Sequence, residues 1–174
     1  MAISRKTFTA LAAGLALACM ATAPALAQTV TQPTLEKIKS SGKVVLGVRE
    51  TSPPMAYALG ANEKFVGYHV ELCEKVVRAI APQAQLKYMV LTAQNTMPLI
   101  NNGTADFNCA SMTNNLTRQK LVAFGLTTYV SEVRMAVPAS SSITSFQQLN
   151  GKKVVATTGT TAVQILRKYA DAHS

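Results

Sequence analysis

The sequence is short of the residues on which catalysis and metal binding depend. Its 174 residues include two histidines and three cysteines, and no tryptophan. His173 stands at the very end of the chain, and His69 suits a packed or capping role better than a catalytic one. No Ser/His/Asp or Cys/His arrangement is implied, and no cysteine has a partner at metal-ligand spacing. We therefore expect a protein that is not an enzyme and holds no metal or cofactor.

Clustered basic charge is also missing. Lysine and arginine outnumber aspartate and glutamate by 17 to 8, yet no basic run is longer than Lys152-Lys153. Aromatic residues do not interleave with the basic ones, so a stacking surface for nucleic acid is not expected. This excess of positive charge indicates an anionic ligand or an electropositive surface.

The chain has no apolar run long enough to make a comfortable membrane span. Two basic residues precede the alanine-rich run Phe8–Ala23, which ends in the small-x-small triplet Ala25-Leu26-Ala27. We expect residues 1–27 to be an export signal cleaved after Ala27. Acylation at Cys19 is the alternative, but Ala16 stands where such sites usually have leucine.

Two cysteines, Cys73 and Cys109, remain after that cleavage. Export permits a disulfide, but a single pair is not the dense framework that a disulfide-dependent fold needs. The pattern favours two small buried side chains, with a Cys73–Cys109 bond as the alternative.

Apolar patterning predicts alternating helices and strands after residue 33. Val70–Ile80 is an amphipathic helix with Leu72, Val76 and Ile80 on its apolar face, and Pro82 stops it. The other predicted elements are a helix at 34–40 ended by Gly42, strands at 43–48, 85–91 and 105–110, and a short helix at 97–103 capped by Gly103. This alternation is typical of an α/β fold with a parallel sheet. The strand at 43–48 is a continuous apolar run, as expected of a strand buried on both faces.

A second α/β unit begins after Val130. We expect a strand-like segment at 131–140, a short helical turn before Gly151, a strand at Lys152–Thr157 and an amphipathic helix from about Thr161. One strand and one helix cannot form a sheet, so the chain is expected to stop inside this unit. The predicted division is residues 28–135 for a first lobe and 136–174 for the start of a second.

Polar groups gather where predicted strands end. Arg49 follows the first strand, and the stretch NCASMTNNLTRQ, Asn108–Gln119, follows the third. In parallel sheets such carboxyl ends share one edge, where ligands bind. Arg118 offers a planar fork of donors for a carboxylate, and Ser111 and Thr113 add hydroxyls. The alternative is a helix capped by Thr113 or Asn114, with Arg118 solvated.

A second hydroxyl-rich loop, ATTGTTAV at Ala156–Val163, lies between the last predicted strand and helix. Thr160 or Thr161 can cap that helix, and the missing Gly-Lys-Ser/Thr ending excludes a nucleotide P-loop. Two such loops, one in each predicted lobe, indicate a ligand gripped between them.

Four segments together carry a family resemblance. TLEKIKSSGKVVLGVRE, FVGYHVELCEKVV, LTAQNTMPLINNGTADFNCASMTNNLTRQKLVAF and LNGKKVVATTGTTA resemble, in that order, the periplasmic substrate-binding proteins of amino-acid ABC importers. The nearest branch binds glutamate and aspartate. The resemblance implies a periplasmic-binding-protein-like α/β fold, two-lobed with a hinge, which works as a monomer and delivers its amino acid to permease subunits in the inner membrane.

The resemblance also implies roles for individual residues. Arg118 would hold the ligand α-carboxylate, Ser111 and Thr113 would complete that site and bind the α-amino group, and Arg49 would help to hold a side-chain carboxylate. Contacts from the second lobe would come from three threonines, Thr157, Thr160 and Thr161. The alternative is a periplasmic enzyme resembling cyclohexadienyl dehydratase, but such an enzyme needs a general acid, and neither loop contains a carboxylate.

Two departures from the family pattern concern the ligand. Ala93 and Thr96 stand where the acidic-ligand branch has a serine and a second arginine. Losing one charge-assisted bond to a buried carboxylate costs about 1.5 to 3 kcal/mol, so glutamine or asparagine is the alternative ligand. The chain is also shorter than the family, and we expect residues 1–174 alone to bind weakly or not at all.

Overall fold

The fold rests on a computed structural model that describes residues 33–60 and 64–172, all within one unit of the chain, Pro33–Ser174. The predicted export signal, Cys19 and His173 lie outside the described residues. No helix in the described part of the chain combines the length and apolar character that a membrane crossing requires.

Helices and strands alternate through the first part of the described chain and become sparse after residue 120. The described helices are α1 (Pro33–Ser41), α2 (Tyr68–Ile80), α3 (Thr96–Asn101), α4 (Leu116–Gln119) and α5 (Thr161–Asp171), with a 3-10 turn at Phe146–Leu149. The strands are β1 (Lys43–Val48), β2 (Thr51–Ser52), β3 (Ala56–Leu59), β4 (Lys64–Val66), β5 (Gln85–Val90) and β6 (Phe107–Asn108).

The main sheet has the order β5-β1-β6 and is parallel throughout, as the sequence predicts. β1 is central, and its Val44, Leu46 and Val48 are fully buried. Leu46 lies in register with Tyr88 of β5 and Phe107 of β6. A strand covered on both faces needs apolar residues at consecutive positions, which explains the continuous run Lys43–Val48.

The edge strand β6 is shorter than the predicted strand at 105–110 and is tied down at its start. Asp106 accepts a hydrogen bond from the Val45 backbone N–H at 2.8 Å and one from Lys37 Nζ at 2.8 Å. This carboxylate therefore joins α1, β1 and β6. Its role is structural.

A small antiparallel sheet, β2-β3-β4, lies between β1 and α2 in the chain and was not predicted. Its strands have two to four residues each. Segments this short are too brief to show an alternation of apolar and polar residues, so the sequence does not predict them as strands. They form because they pair with one another in an antiparallel sheet.

The apolar face of α2 differs from the predicted one. Val70 and Val77 are fully buried, Cys73 is partly buried against the same core, and Val76 and Ile80 are 44% and 40% exposed. The sequence offers two overlapping stripes on this helix, at 72/76/80 and at 70/73/77. Packing against β1 and β3 selects the second stripe, whose Val70 and Val77 join the buried core.

The prediction of two unbonded cysteines is wrong. Cys73 of α2 and Cys109, which follows β6, form a disulfide with their Cα atoms 5.9 Å apart. The two residues are 36 positions apart in sequence, so their spacing alone did not reveal the pair. The packing of α2 on the parallel sheet brings them together.

The strands predicted at Lys152–Thr157 and at 131–140 do not form. Both segments are irregular in the structure, and Val155 is 88% exposed. A strand needs a ladder partner, and no other described segment pairs with either one. The predicted helix forms as α5, and a cavity of about 680 Å³ separates it from these segments, lined by apolar residues such as Val137, Val154 and Ile165.

Candidate functional site

The register of the main sheet brings two polar segments to one edge. Gly47 of β1 pairs with Asn108 of β6, so Arg49 and the loop that starts at Cys109 leave the sheet at neighbouring positions. This agrees with the placement predicted from the order of strands and helices.

The loop after β6 ends in the four-residue helix α4, which Asn115 caps. The Asn115 side-chain oxygen accepts a hydrogen bond from the Arg118 backbone N–H at 2.9 Å. The alternative that Thr113 or Asn114 is the cap is therefore wrong by one or two residues. The cap satisfies the backbone N–H of Arg118, and the Arg118 side chain takes no part in it.

The guanidinium of Arg118 joins the two predicted loops. Its Nη1 donates to the Thr113 carbonyl oxygen at 2.9 Å, and its Nη2 donates to the Gly159 carbonyl oxygen at 3.1 Å. Arg118 is therefore half-buried and hydrogen-bonded to both loops, which differs from the freely solvated alternative. Partial burial lowers its pKa, but an arginine stays charged at neutral pH. Both acceptors are neutral carbonyls, and a ligand carboxylate would be a stronger partner for the same fork.

The threonine loop reaches the same place from the start of α5. Thr161 Oγ1 lies 3.3 Å from Thr113 Oγ1, and Thr160 Oγ1 donates to the Thr157 carbonyl oxygen at 2.7 Å. Thr160 occupies the N-cap position of α5, but its side chain makes no capping bond. The three predicted threonines thus belong to one turn that faces the Arg118 loop through Thr161.

Gly159 allows this turn to approach the loop after β5. It has φ +81°, and a Cβ atom at this position would lie 2.9 Å from the carbonyl carbon and oxygen of Ala93. Such distances are below normal contact, so a side chain here would push the two loops apart. Ala93 therefore meets the second loop through its backbone.

We expect Gly159→Ala to destabilise the chain more than Gly151→Ala does. Both glycines have positive φ, at +81° and +71°, but nothing lies within 4 Å of a Cβ built at Gly151. The strain of a left-handed residue is thus common to the two variants, and the clash with Ala93 adds about 1 to 3 kcal/mol for Gly159 alone. Urea unfolding measures the difference. Equal losses would show that the two loops do not pack closely.

Arg49 is a second cation at this edge without a carboxylate partner. Its Nε is buried and makes no hydrogen bond within the described residues. Burial lowers the pKa of Arg49, and the charge of Arg118 lowers it further. Neither arginine forms a salt bridge in residues 33–60 and 64–172. Two like charges held near each other favour an anion between them.

Asn108 is a candidate that the predicted set does not contain. Its side-chain oxygen Oδ1 is buried and has no hydrogen-bond partner among the described residues. A buried acceptor of this kind is uncommon unless a ligand or water satisfies it. Asn108 is the last residue of β6 and the first of the polar stretch Asn108–Gln119, which was the available signal in the sequence.

The remaining predicted residues take different positions. Ser111 is exposed two residues after Cys109. Thr96 is fully buried, and its hydroxyl donates to the Thr92 carbonyl oxygen at 2.6 Å. This bond stabilises the start of α3. Within the described residues, no group of histidine, cysteine, aspartate and glutamate side chains could hold a metal.

Open parallel α/β sheets bind their ligands beyond the carboxyl ends of the strands, and arginines and hydroxyls gather at that edge here, so the fold and the site are those of an α/β ligand-binding protein. A family model described as bacterial extracellular solute-binding proteins, family 3, matches residues 44–172. The chain belongs to this family.

Two curated relatives of this sequence are named for acidic amino acids, and a third, from Geobacillus stearothermophilus, 27% identical over 139 residues and covering 79% of this chain and 53% of the relative, is named a glutamine-binding protein. The chain is 41% identical over 140 residues to the glutamate/aspartate import solute-binding protein of Salmonella typhimurium, covering 78% of this chain and 46% of the relative. It is 37% identical over 156 residues to the L-glutamate/L-aspartate-binding protein of Pseudomonas aeruginosa, covering 87% and 51%. The chain thus spans about half the length of the curated relatives it matches.

A solved structure supports the fold. The cysteine-binding protein of Campylobacter jejuni superposes with a TM-score of 0.55 at 23% identity, covering 67% of this chain and 47% of that one. At this identity the likeness shows the architecture and carries no information on the ligand.

Proposed function

We propose that this chain is the ligand-binding part of a periplasmic solute-binding protein that captures glutamate or aspartate and delivers it to an ABC importer. The observation that carries the proposal is the pair Arg49 and Arg118, two cations at one sheet edge with no salt-bridge partner in the described residues. The names of the relatives support the same ligands. The partners would be permease subunits of the inner membrane, met by a monomer without cofactor.

The contacts suggest how each group would bind. The Arg118 fork would exchange the Thr113 and Gly159 carbonyls for the α-carboxylate, because a charged acceptor binds a guanidinium more strongly than a neutral one. Ser111 and Thr113 would receive the α-ammonium group. Arg49 would then meet the side-chain carboxylate, which would also relieve its unpartnered Nε.

The second loop would close the site. Thr157, Thr160 and Thr161 belong to the segment 136–174, proposed as the start of the second lobe, and the first lobe would be residues 28–135. Thr161 already lies 3.3 Å from Thr113 across the two loops. An export signal at 1–27, cleaved after Ala27, would take the protein to the periplasm.

Titration calorimetry with glutamate, aspartate, glutamine and asparagine tests the proposal. The chain should be joined to the C-terminal half of the Salmonella relative, because it spans 46% of that protein. We expect the acidic pair to bind and the amides to bind at least about tenfold more weakly, since Arg49 gains a charged acceptor in the acids alone. Equal binding of glutamine and glutamate would refute acidic specificity and favour the amide ligands that Thr96 leaves open.

Arg49→Met should lower the affinity for glutamate by about 10-fold to 100-fold and leave the affinity for glutamine within about threefold. The reason is the loss of one charge-assisted bond that the amide ligand does not form. The melting temperature should not fall, since the variant removes a buried Nε that has no hydrogen-bond partner among the described residues. Arg134→Met is the control, because Arg134 is exposed and pairs with Glu132. An equal loss for both ligands would contradict the role of Arg49.

A further inference from the structure

Helix α2 holds the chain on both sides of the candidate loop. Cys73 is bonded to Cys109, directly before the loop, and His69 Nε2 lies 2.9 Å from Thr128 Oγ1, beyond it. Tyr68 adds a hydrogen bond from its hydroxyl to the Thr128 carbonyl oxygen at 3.2 Å. Residues 69 and 73 are one helical turn apart and share a face of α2. One turn of one helix therefore anchors both ends of residues 110–127.

The anchored segment contains Ser111, Thr113 and Arg118 and has little internal structure. Its one helix, α4, has four residues, and most of its other positions are exposed. It starts from β6, a two-residue strand at the edge of the described sheet. Edge strands with few ladder bonds fray first, so the position of this loop depends on its anchors.

We propose that the Cys73–Cys109 disulfide is a positioning element for the binding loop, so that ligand binding is sensitive to reduction while the sheet is not. The inference about binding rests on the proposed function. Reduction consumes two electrons and two protons, which a dithiol supplies as it becomes a disulfide, and it leaves free thiols on Cys73 and Cys109. The Cys109 backbone N–H still donates to the Gly47 carbonyl oxygen, at 2.7 Å, so β1 and its partners keep their ladder.

Hydrogen exchange without ligand tests the proposal on this chain, oxidised and after dithiothreitol. The loop reporters are amides whose bonds lie inside the segment, namely Arg118, Gln119, Leu121 and Val122. The sheet reporter is the Leu91 amide, which donates to the Val48 carbonyl oxygen at 2.8 Å. We expect reduction to accelerate the loop amides about tenfold or more and Leu91 by less than about threefold.

Three variants complete the test. Cys73→Ala/Cys109→Ala should reproduce the reduced pattern without a reductant. Asp106→Asn weakens the hydrogen bonds at the start of β6 and leaves the disulfide in place. We expect it to change exchange at the loop amides no more than at Leu91. Thr128→Val should accelerate Leu121 and Val122 more than Arg118, because it loosens the far anchor.

Two outcomes would overturn the proposal. Loop amides unchanged by reduction would show that the disulfide does not position them, and parallel acceleration of loop and sheet would show an effect on global stability alone. Glutamate affinity of the oxidised and reduced forms is measured separately, in the chain joined to the C-terminal half of its relative. Absence of binding in both forms would count against the proposed function and leave the exchange result standing.

Discussion

Replacing Arg118 with alanine is expected to weaken glutamate binding by about 2 to 5 kcal/mol, or roughly 30-fold or more in dissociation constant. The donors of this guanidinium already reach both loops, at the Thr113 and Gly159 carbonyl oxygens. Its loss removes the proposed α-carboxylate partner and the bridge between the loops together. Because every amino acid carries an α-carboxylate, glutamine and asparagine should lose affinity equally.

Calorimetry on the chain joined to the C-terminal half of its relative measures this effect. Arg167→Ala is the matched control, since Arg167 is an exposed arginine on α5 and is expected to keep native affinity. The comparison with Arg49→Met separates two roles, as that variant should discriminate between acids and amides. A selective loss of glutamate binding in Arg118→Ala would contradict the assignment of Arg118 to the α-carboxylate.

Leu46→Ala should lower the free energy of unfolding by about 2 to 5 kcal/mol. Leu46 is fully buried in the central strand, between Tyr88 and Phe107, so the truncation removes apolar contacts and leaves a cavity in a close-packed core. A domain of this size has limited stability to lose, and the variant is expected to be partly unfolded at 37 °C.

Leu59→Ala is the control for this prediction. Leu59 of β3 is 56% exposed, so the same chemical change should cost less than about 1 kcal/mol. Urea unfolding followed by circular dichroism measures both variants. Similar losses at the two positions would mean that β1 is not the centre of the core.

Several elements followed from local pattern alone. The run Lys43–Val48 is a strand at the predicted residues, and Gly42 and Gly103 end their helices at positive φ. The predicted parallel sheet also forms. Each of these depends on side-chain period or on the φ freedom of glycine, and both are properties of neighbouring residues.

Other elements depended on partners distant in the chain. The buried face of α2 was predicted at Val76 and Ile80 and lies instead at Val70 and Val77, because both stripes are apolar and packing chooses between them. The strand at Lys152–Thr157 was predicted from its apolar run, but a run without a ladder partner stays irregular. The same reason applies to the disulfide, whose two cysteines meet only after α2 packs on the sheet.

For the candidate site, the order of residues was enough to name the groups: an arginine after each of two strands and two loops rich in hydroxyls. The chemistry of a carboxylate partner follows from those residue types, wherever they lie. Tertiary structure decided what they face. It placed the Arg118 fork on the Gly159 carbonyl, left the Arg49 Nε without a hydrogen-bond partner among the described residues and seated Gly159 against Ala93. These contacts depend on segments far apart in the chain, so they are determined only when the chain folds.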